Sequence, residues 1–153
     1  MLRQQFNEAL KAAMLAKESR AVSTIRLIAA ALKDRDIAAR PSGNQDGIGD
    51  ADILSMLQGM IKQRRESIAL YEKGNRPDLV KQESEEIAVI ERFLPKQMDE
   101  SAAVAAIGAV IKEIGASSVK DMGRVMAELK TRHAGQMDFA KASALVKQQL
   151  GSA

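Results

Sequence analysis

The sequence predicts an all-α protein, with an N-terminal helical-hairpin/four-helix domain followed by a small three-helix C-terminal domain. Three observations carry that expectation. Aromatic residues make up only 3% of the 153 residues and Trp is absent, while Ala, Leu, Ile and Met abound, a balance that favours helices over pleated sheets. Apolar residues recur at i, i+3, i+4 and i+7 through most of the chain. Between these runs stand Ser, Asp, Pro and Gly, which start and stop helices. The length allows one medium domain or two small ones, and 46% hydrophobic with 28% charged residues is the composition of a globular chain.

Helix one spans Leu2 to Ala16 and buries Leu2, Phe6, Leu10, Ala13 and Met14. Ser19 caps helix two, whose stripe is Val22, Ile25, Ile28, Ala29 and Leu32, and the pair forms an αα-hairpin. Residues 40–49 are rich in turn formers, so this is the segment expected to be mobile, with Asp50 capping the next helix. Helix three runs from Ala51 to Lys73 on Ile53, Leu57, Met60, Ile61, Ile68 and Tyr71, and Gly74 stops it. Pro77 opens helix four, which reaches Phe93 with Leu79, Ile87, Ile90 and Leu94 inward.

Leu94-Pro95 breaks the pattern, because the residue before a proline is pushed out of the helical region; the expected domains are 1–95 and 96–153. Asp99 caps helix five, Glu100 to Ile114, which carries Val104, Ile107, Val110, Ile111 and Ile114 and ends at Gly115. Ser118-Val119-Lys120-Asp121 fits a capping box, so helix six begins near Val119 and buries Met122, Val125, Met126 and Leu129. Ala134-Gly135 ends it. Asp138 caps helix seven, with Phe139, Ala142, Val146 and Leu150 as its stripe.

Chemistry is sparse. No Cys and a single His exclude disulfides and thiol chemistry and leave almost nothing to hold zinc, and a reducing cytoplasm fits that usage. No apolar run approaches the roughly 20 residues that cross a bilayer, and the amphipathic start with Arg3, Glu8, Lys11 and Glu18 reads as a helix and not as a signal peptide. His133 has no Cys to activate, and at a helix C-terminus it is a surface or capping residue. Glu83, Glu85 and Glu86 form a carboxylate cluster without His or Cys ligands, better explained by a solvated face plus an ion pair than by a metal. No glycine-rich phosphate loop is present. Neither catalysis nor a cofactor or metal is expected of these residues alone.

Two features remain. Arg64 and Glu83 fall inside apolar stripes, and a short turn at Gly74-Asn75-Arg76 would bring Arg64 to Glu83 and Glu86; a structural ion pair is the economical reading, a small polar site the alternative. The second feature is basic. Between Ser118 and Leu150, Lys120, Arg124, Lys130, Arg132, Lys141 and Lys147 oppose Asp121, Glu128 and Asp138, an excess equal to the whole chain's +3. Lys120 and Arg124 share an exposed face with Lys130, Arg132 and His133 beyond them, a strip that either tracks phosphates or is simply solvated. Gly123 lies on the same helix, where it costs roughly 1 kcal/mol against Ala; close approach of a neighbouring helix or of a ligand would explain it. Arg26, Lys33, Lys62 and Arg65 are a possible second basic contact in the N-terminal domain.

Several blocks together resemble a known family. Leu10-Lys11-Ala12-Ala13-Met14, Ser23-Thr24-Ile25-Arg26-Leu27-Ile28, Met60-Ile61-Lys62-Gln63-Arg64-Arg65-Glu66-Ser67, Glu86-Ile87-Ala88-Val89-Ile90-Glu91, Leu94-Pro95 and Asp121-Met122-Gly123-Arg124-Val125-Met126 resemble the YqeY family of small bacterial proteins, also called GatB/YqeY-domain proteins. The resemblance implies a helical N-terminal domain and a three-helix domain similar to the GatB tail of the aspartyl/glutamyl-tRNA amidotransferase, a tail that helps hold tRNA while catalysis occurs elsewhere. Where that family often has Lys after the Met-Gly pair, this chain has Arg124, whose planar fork suits phosphate. The expected function is a non-catalytic adaptor that binds tRNA through its C-terminal domain. An accessory role in glutamine-dependent amide transfer (carbon-nitrogen ligase chemistry), with an amidotransferase or tRNA synthetase as partner, and a protein–protein interaction module are the alternatives.

Overall fold

In a computed structural model, which describes residues 1–151, the protein is all α-helical, and its chain divides into two compact units, Met1–Leu94 and Pro95–Ala153. The first contains α1 (Leu2–Leu15), α2 (Ser19–Ala39), α3 (Asp50–Lys73) and α4 (Pro77–Glu91). The second contains α5 (Glu100–Ile114), α6 (Met122–Arg132) and α7 (Phe139–Gly151). Among the described residues no single helix is long and apolar enough to cross a membrane.

The N-terminal core is aliphatic. Leu2, Phe6, Ile28, Leu32, Ile53, Met56, Leu57, Ile61, Ile87 and Ile90 form one cluster, and Ala13, Ala21, Ile25 and Val89 a second where the α1–α2 hairpin meets α4. Phe6 meets Phe93 edge to face, centroids 4.9 Å apart, a geometry that sets the positive rim of one ring against the negative face of the other. Thr24 is fully buried, and its hydroxyl is satisfied by the Arg20 carbonyl at 2.7 Å. Two expected core positions face solvent instead. Met14 is 52% exposed and Ala29 is exposed, because α1 and α2 pack along narrower stripes in which Ala21 and Thr24 make the close contacts.

A long-range contact, which the sequence does not signal, ties the start of α3 to the start of α1. Neither Ser19 nor Asp50 acts as a side-chain cap: Ser19 is already the first residue of α2, and Asp50 is the first of α3. Asp50 serves α1, its carboxylate accepting from the Leu2 amide at 3.4 Å and lying 3.8 Å from the chain's amino terminus. Within the segment expected to be mobile, Gly47 and Ile48 lie against a side-chain clasp. Arg3 makes a bidentate pair with Asp36 at 2.7 and 2.8 Å and also donates to the Ile48 carbonyl, while the Ile48 amide donates to Asp36 at 2.9 Å. Gly47, at φ +92°, lies over this clasp, and a Cβ there would sit 2.6 Å from an Arg3 nitrogen.

Among the described residues α1, α3, α5 and the 3-10 turn Arg40–Ser42 that follows α2 end in the same Schellman geometry, with a left-handed residue, Gly43 after that turn, and two backbone bonds closing it. After α5 that residue is Gly115, as expected. After α3 it is Asn75 at φ +54°; Gly74, expected to stop the helix, keeps a negative φ. After α1 it is Lys17 at φ +57°, with Lys17 N–H donating to Met14 O and Glu18 N–H to Ala13 O. Asn tolerates that conformation through its short polar side chain, whereas for Lys it costs about 1 kcal/mol.

The C-terminal unit packs Ala103, Ile107, Val110, Val125, Leu129, Met137, Ala142, Val146 and Leu150 into one core. Ala103 occupies the inward position expected of Val104, which is 41% exposed; the small residue lets the helices approach closely. Asp99 caps α5 by accepting from the Ala102 amide at 2.7 Å, and Asp138 accepts from the amides of Ala140 and Lys141 to start α7.

Candidate nucleic-acid interface

The start of α6 is built by Asp121. Its Oδ2 accepts from the amides of Ser117 and Ser118 at 3.0 and 3.3 Å, and residues 119–121 make one 3-10 turn before the α-helix proper begins at Met122. The Ser117 amide, then the Arg124 guanidinium, hold the Asp121 carboxyl below the usual carboxylate range. Val125 and Leu129 are fully buried and Met122 and Met126 half-buried, which fixes the helix rotation and turns Lys120, Gly123, Arg124 and Lys130 outward.

These outward residues are not equivalent. Arg124 donates to Asp121 at 2.7 Å while most of its side chain stays in solvent. Arg132 is held between Glu128, at 2.6 Å, and Glu113 of α5, and those two carboxylates raise the guanidinium's pKa. His133 caps α6, half-buried, with Nδ1 3.0 Å from Gln136 Oε1. Among the described residues Lys120 and Lys130 take part in no ion pair. Arg132 is therefore tied into the helix packing, while Lys120, Arg124 and Lys130 are presented to solvent. Counted over residues 95–153, eight Lys and Arg oppose six Asp and Glu, a formal +2, so the C-terminal unit is less basic than its last two helices.

Packing does not explain Gly123. It is exposed, and a Cβ built on it would meet nothing within 4 Å, so the expected close approach of a neighbouring helix is absent. The remaining explanations are an external ligand or mere tolerance.

The ion pair lies elsewhere and is closed. Arg64 Nε donates to Glu86 at 2.9 Å and lies 3.9 Å from Glu83, while a terminal nitrogen donates to the Met60 carbonyl at 3.2 Å. Gln82 donates to the other Glu86 oxygen at 3.3 Å. Burial raises the Glu83 pKa, the Glu86 charge adds to it, and Arg64 opposes both. Every one of these contacts is internal to α3 and α4, which leaves little room for a substrate. Among the described residues no three His, Cys, Asp or Glu side chains converge as a metal site would require.

The N-terminal cations Arg26, Lys33, Lys62 and Arg65 are all exposed. Arg65 pairs with Glu91 at 3.6 Å, and Arg26 lines a shallow groove beside Lys17 at the α1–α2 turn. The Arg3–Asp36–Ile48 clasp and the Lys17 turn lie outside the expected sites. Gly47 is the one hint of the first, and nothing local marks the second.

Curated relatives share part of the chain. A yeast mitochondrial protein named altered inheritance of mitochondria protein 41 matches at 39% identity over 85 residues in Eremothecium gossypii, and at 38% over 85 residues in Lachancea thermotolerans. The Kluyveromyces lactis protein of that name matches at 32% over 84 residues. These matches cover 55 to 56% of this chain and 43 to 44% of the relatives, so the chain spans under half the length of the curated relatives it matches. The YqeY profile, described as Yqey-like protein, matches residues 3–150, nearly end to end, and the chain belongs to the YqeY family.

Proposed function

We propose that the protein is a non-catalytic tRNA-binding adaptor whose contact face is the exposed side of α6. The observation that carries this reading is the open surface around Gly123, flanked by the solvent-facing cations Lys120 and Arg124. A helical glycine without a packing partner lets a ligand backbone come close, and a Lys or Arg on either side can meet successive phosphates. A-form RNA is read mainly through shape, phosphate and 2′-hydroxyl, which suits a protein with one Tyr and no Trp. The similarity to a tRNA-holding amidotransferase tail supports the choice of RNA, and it makes an amidotransferase or a tRNA synthetase the protein partner to try first.

The test is fluorescence anisotropy of labelled tRNA with the full chain across a salt series. Three to five phosphate contacts give a slope of log K against log salt of about −2 to −4. No binding at low salt, or unchanged affinity in the Lys120→Ala/Arg124→Ala double variant, sinks the reading.

A further inference from the structure

The α1–α2 turn carries a groove that the RNA reading does not use. Met14, Lys17, Ser19, Val22, Ser23 and Arg26 line it. Two of these side chains are aliphatic, two are serines and two, Lys17 and Arg26, are cationic. Met14 is 52% exposed, and Leu15, next in the chain, is 86% exposed, on a hairpin whose other large apolar side chains mostly turn inward.

The local charges are sorted in a telling way. Glu18 pairs with Arg92 at 3.7 Å, and Arg20 pairs with Glu85 at 3.1 Å, so both are engaged with neighbouring elements. Lys17 and Arg26, the two cations that line the groove, take part in no ion pair among the described residues. Lys17 also occupies the left-handed position where the equivalent helix ends use Gly115 and Asn75. A residue kept in an unfavourable conformation, when Gly or Asn would serve the turn better, points to a use for its side chain. Here that side chain is a cation lining the same groove as the exposed Met14. With no aromatic ring in the lining, nucleobase stacking has no platform.

We infer that this groove docks an acidic, aliphatic helical segment of a protein partner. An aliphatic side chain of that segment rests on Met14 and Val22, and its carboxylates meet Lys17 and Arg26. The occupant is thus defined by charge complementarity and by the shape of an aliphatic anchor, in a unit separate from the RNA face.

The test titrates the isotope-labelled full chain, at low salt, with a helical peptide of about three turns carrying Leu and Glu at i, i+4 spacing. Amide shifts should centre on residues 14–26. Arg26→Gln combined with Lys17→Gly should weaken binding about tenfold, the size expected for two ion pairs. Lys17→Gly alone should raise the Tm by about 4 to 8 °C while weakening the peptide, since the turn is relieved as the contact is lost. A matched Gln/Leu peptide that binds equally well would overturn the inference. So would shifts centred elsewhere, or a single-stranded oligonucleotide of equal charge that perturbs residues 14–26 more strongly than the peptide does.

Discussion

In the N-terminal unit Arg64 lies with 13% of its side chain exposed between Glu86 and the Met60 carbonyl, whereas on α6 Arg124 has 62% exposed and holds a single carboxylate one turn away. Both are arginines on amphipathic helices with an acidic partner. What differs is how many of the guanidinium's five donors the protein itself uses, and how dry the surroundings are. The first arrangement contributes to the fold and has little left to offer a ligand. The second contributes little to the fold, since exposed pairs are worth at most about 1 kcal/mol, and keeps donors free. Burial and the number of internal partners thus separate charge built into the structure from charge available for recognition, which sequence position alone does not do.

The largest expected effect tests the buried side of that contrast. Arg64→Ala leaves Glu86, 6% exposed, without its counter-charge, at a cost of about 3 kcal/mol, the lower end for breaking a buried pair because a path to water remains. Arg124→Ala should change stability by no more than about 0.5 kcal/mol. Urea denaturation of the two variants checks both. A double Arg64→Met/Glu86→Leu variant should recover most of the loss, as apolar replacements of ion pairs generally do. Equal losses in Arg64→Ala and Arg124→Ala would erase the distinction.

The Arg3–Asp36 clasp lies between these extremes, with side chains 40% and 21% exposed. Arg3, with the Ile48 amide, lowers the Asp36 pKa to about 2, against an unfolded value near 3.8. A carboxyl held more acidic in the folded state stabilises above the unfolded pKa, so the contribution is complete at neutral pH and is lost as pH falls from about 4 towards 2. Asp36→Asn should therefore cost about 1 kcal/mol at pH 7, after allowing for solvent screening, and should flatten the acid side of the stability profile. Thermal melts of both proteins from pH 7 to pH 2 measure this. A variant curve parallel to the wild type would place the acid sensitivity elsewhere.

How much of the fold and of the candidate site is legible in the sequence depends on the range of the interactions. Local features are: α5 begins and ends at Glu100 and Ile114, with Asp99 capping and Gly115 left-handed, since caps depend on neighbours within a few residues. Arg64 can be linked to Glu83 and Glu86 because a short turn dictates which residues of two antiparallel helices meet. The clasp cannot, since Arg3 and Asp36 are 33 residues apart and nothing in either neighbourhood names the other. The start of α3 departs from expectation for the same reason: Asp50 is an ordinary capping residue by type, and only the fold shows that it faces the start of α1. On α6 the rotation is readable from Met122, Val125, Met126 and Leu129, but not the neutralisation of Arg132, because Glu113 reaches it from α5.

Gly123 gives a small stability effect of the opposite sign, and it brings the contrast to its finest point. An exposed helical glycine with no atom within 4 Å of a built Cβ should accept Ala without strain. Gly123→Ala then stabilises the protein by about 0.5 to 1 kcal/mol, through the lower backbone entropy lost on folding. Gly47, at φ +92° and where a Cβ would sit 2.6 Å from an Arg3 nitrogen, should respond in the opposite direction to the same substitution. The two glycines thus separate a glycine that the fold requires from one that it does not. If α6 carries RNA against its backbone, Gly123→Ala raises the Tm and weakens tRNA binding in the same protein, a combination that misfolding cannot produce. If tRNA affinity survives the added methyl group, the open surface at Gly123 is tolerated space, and the case for α6 rests on Lys120 and Arg124 alone.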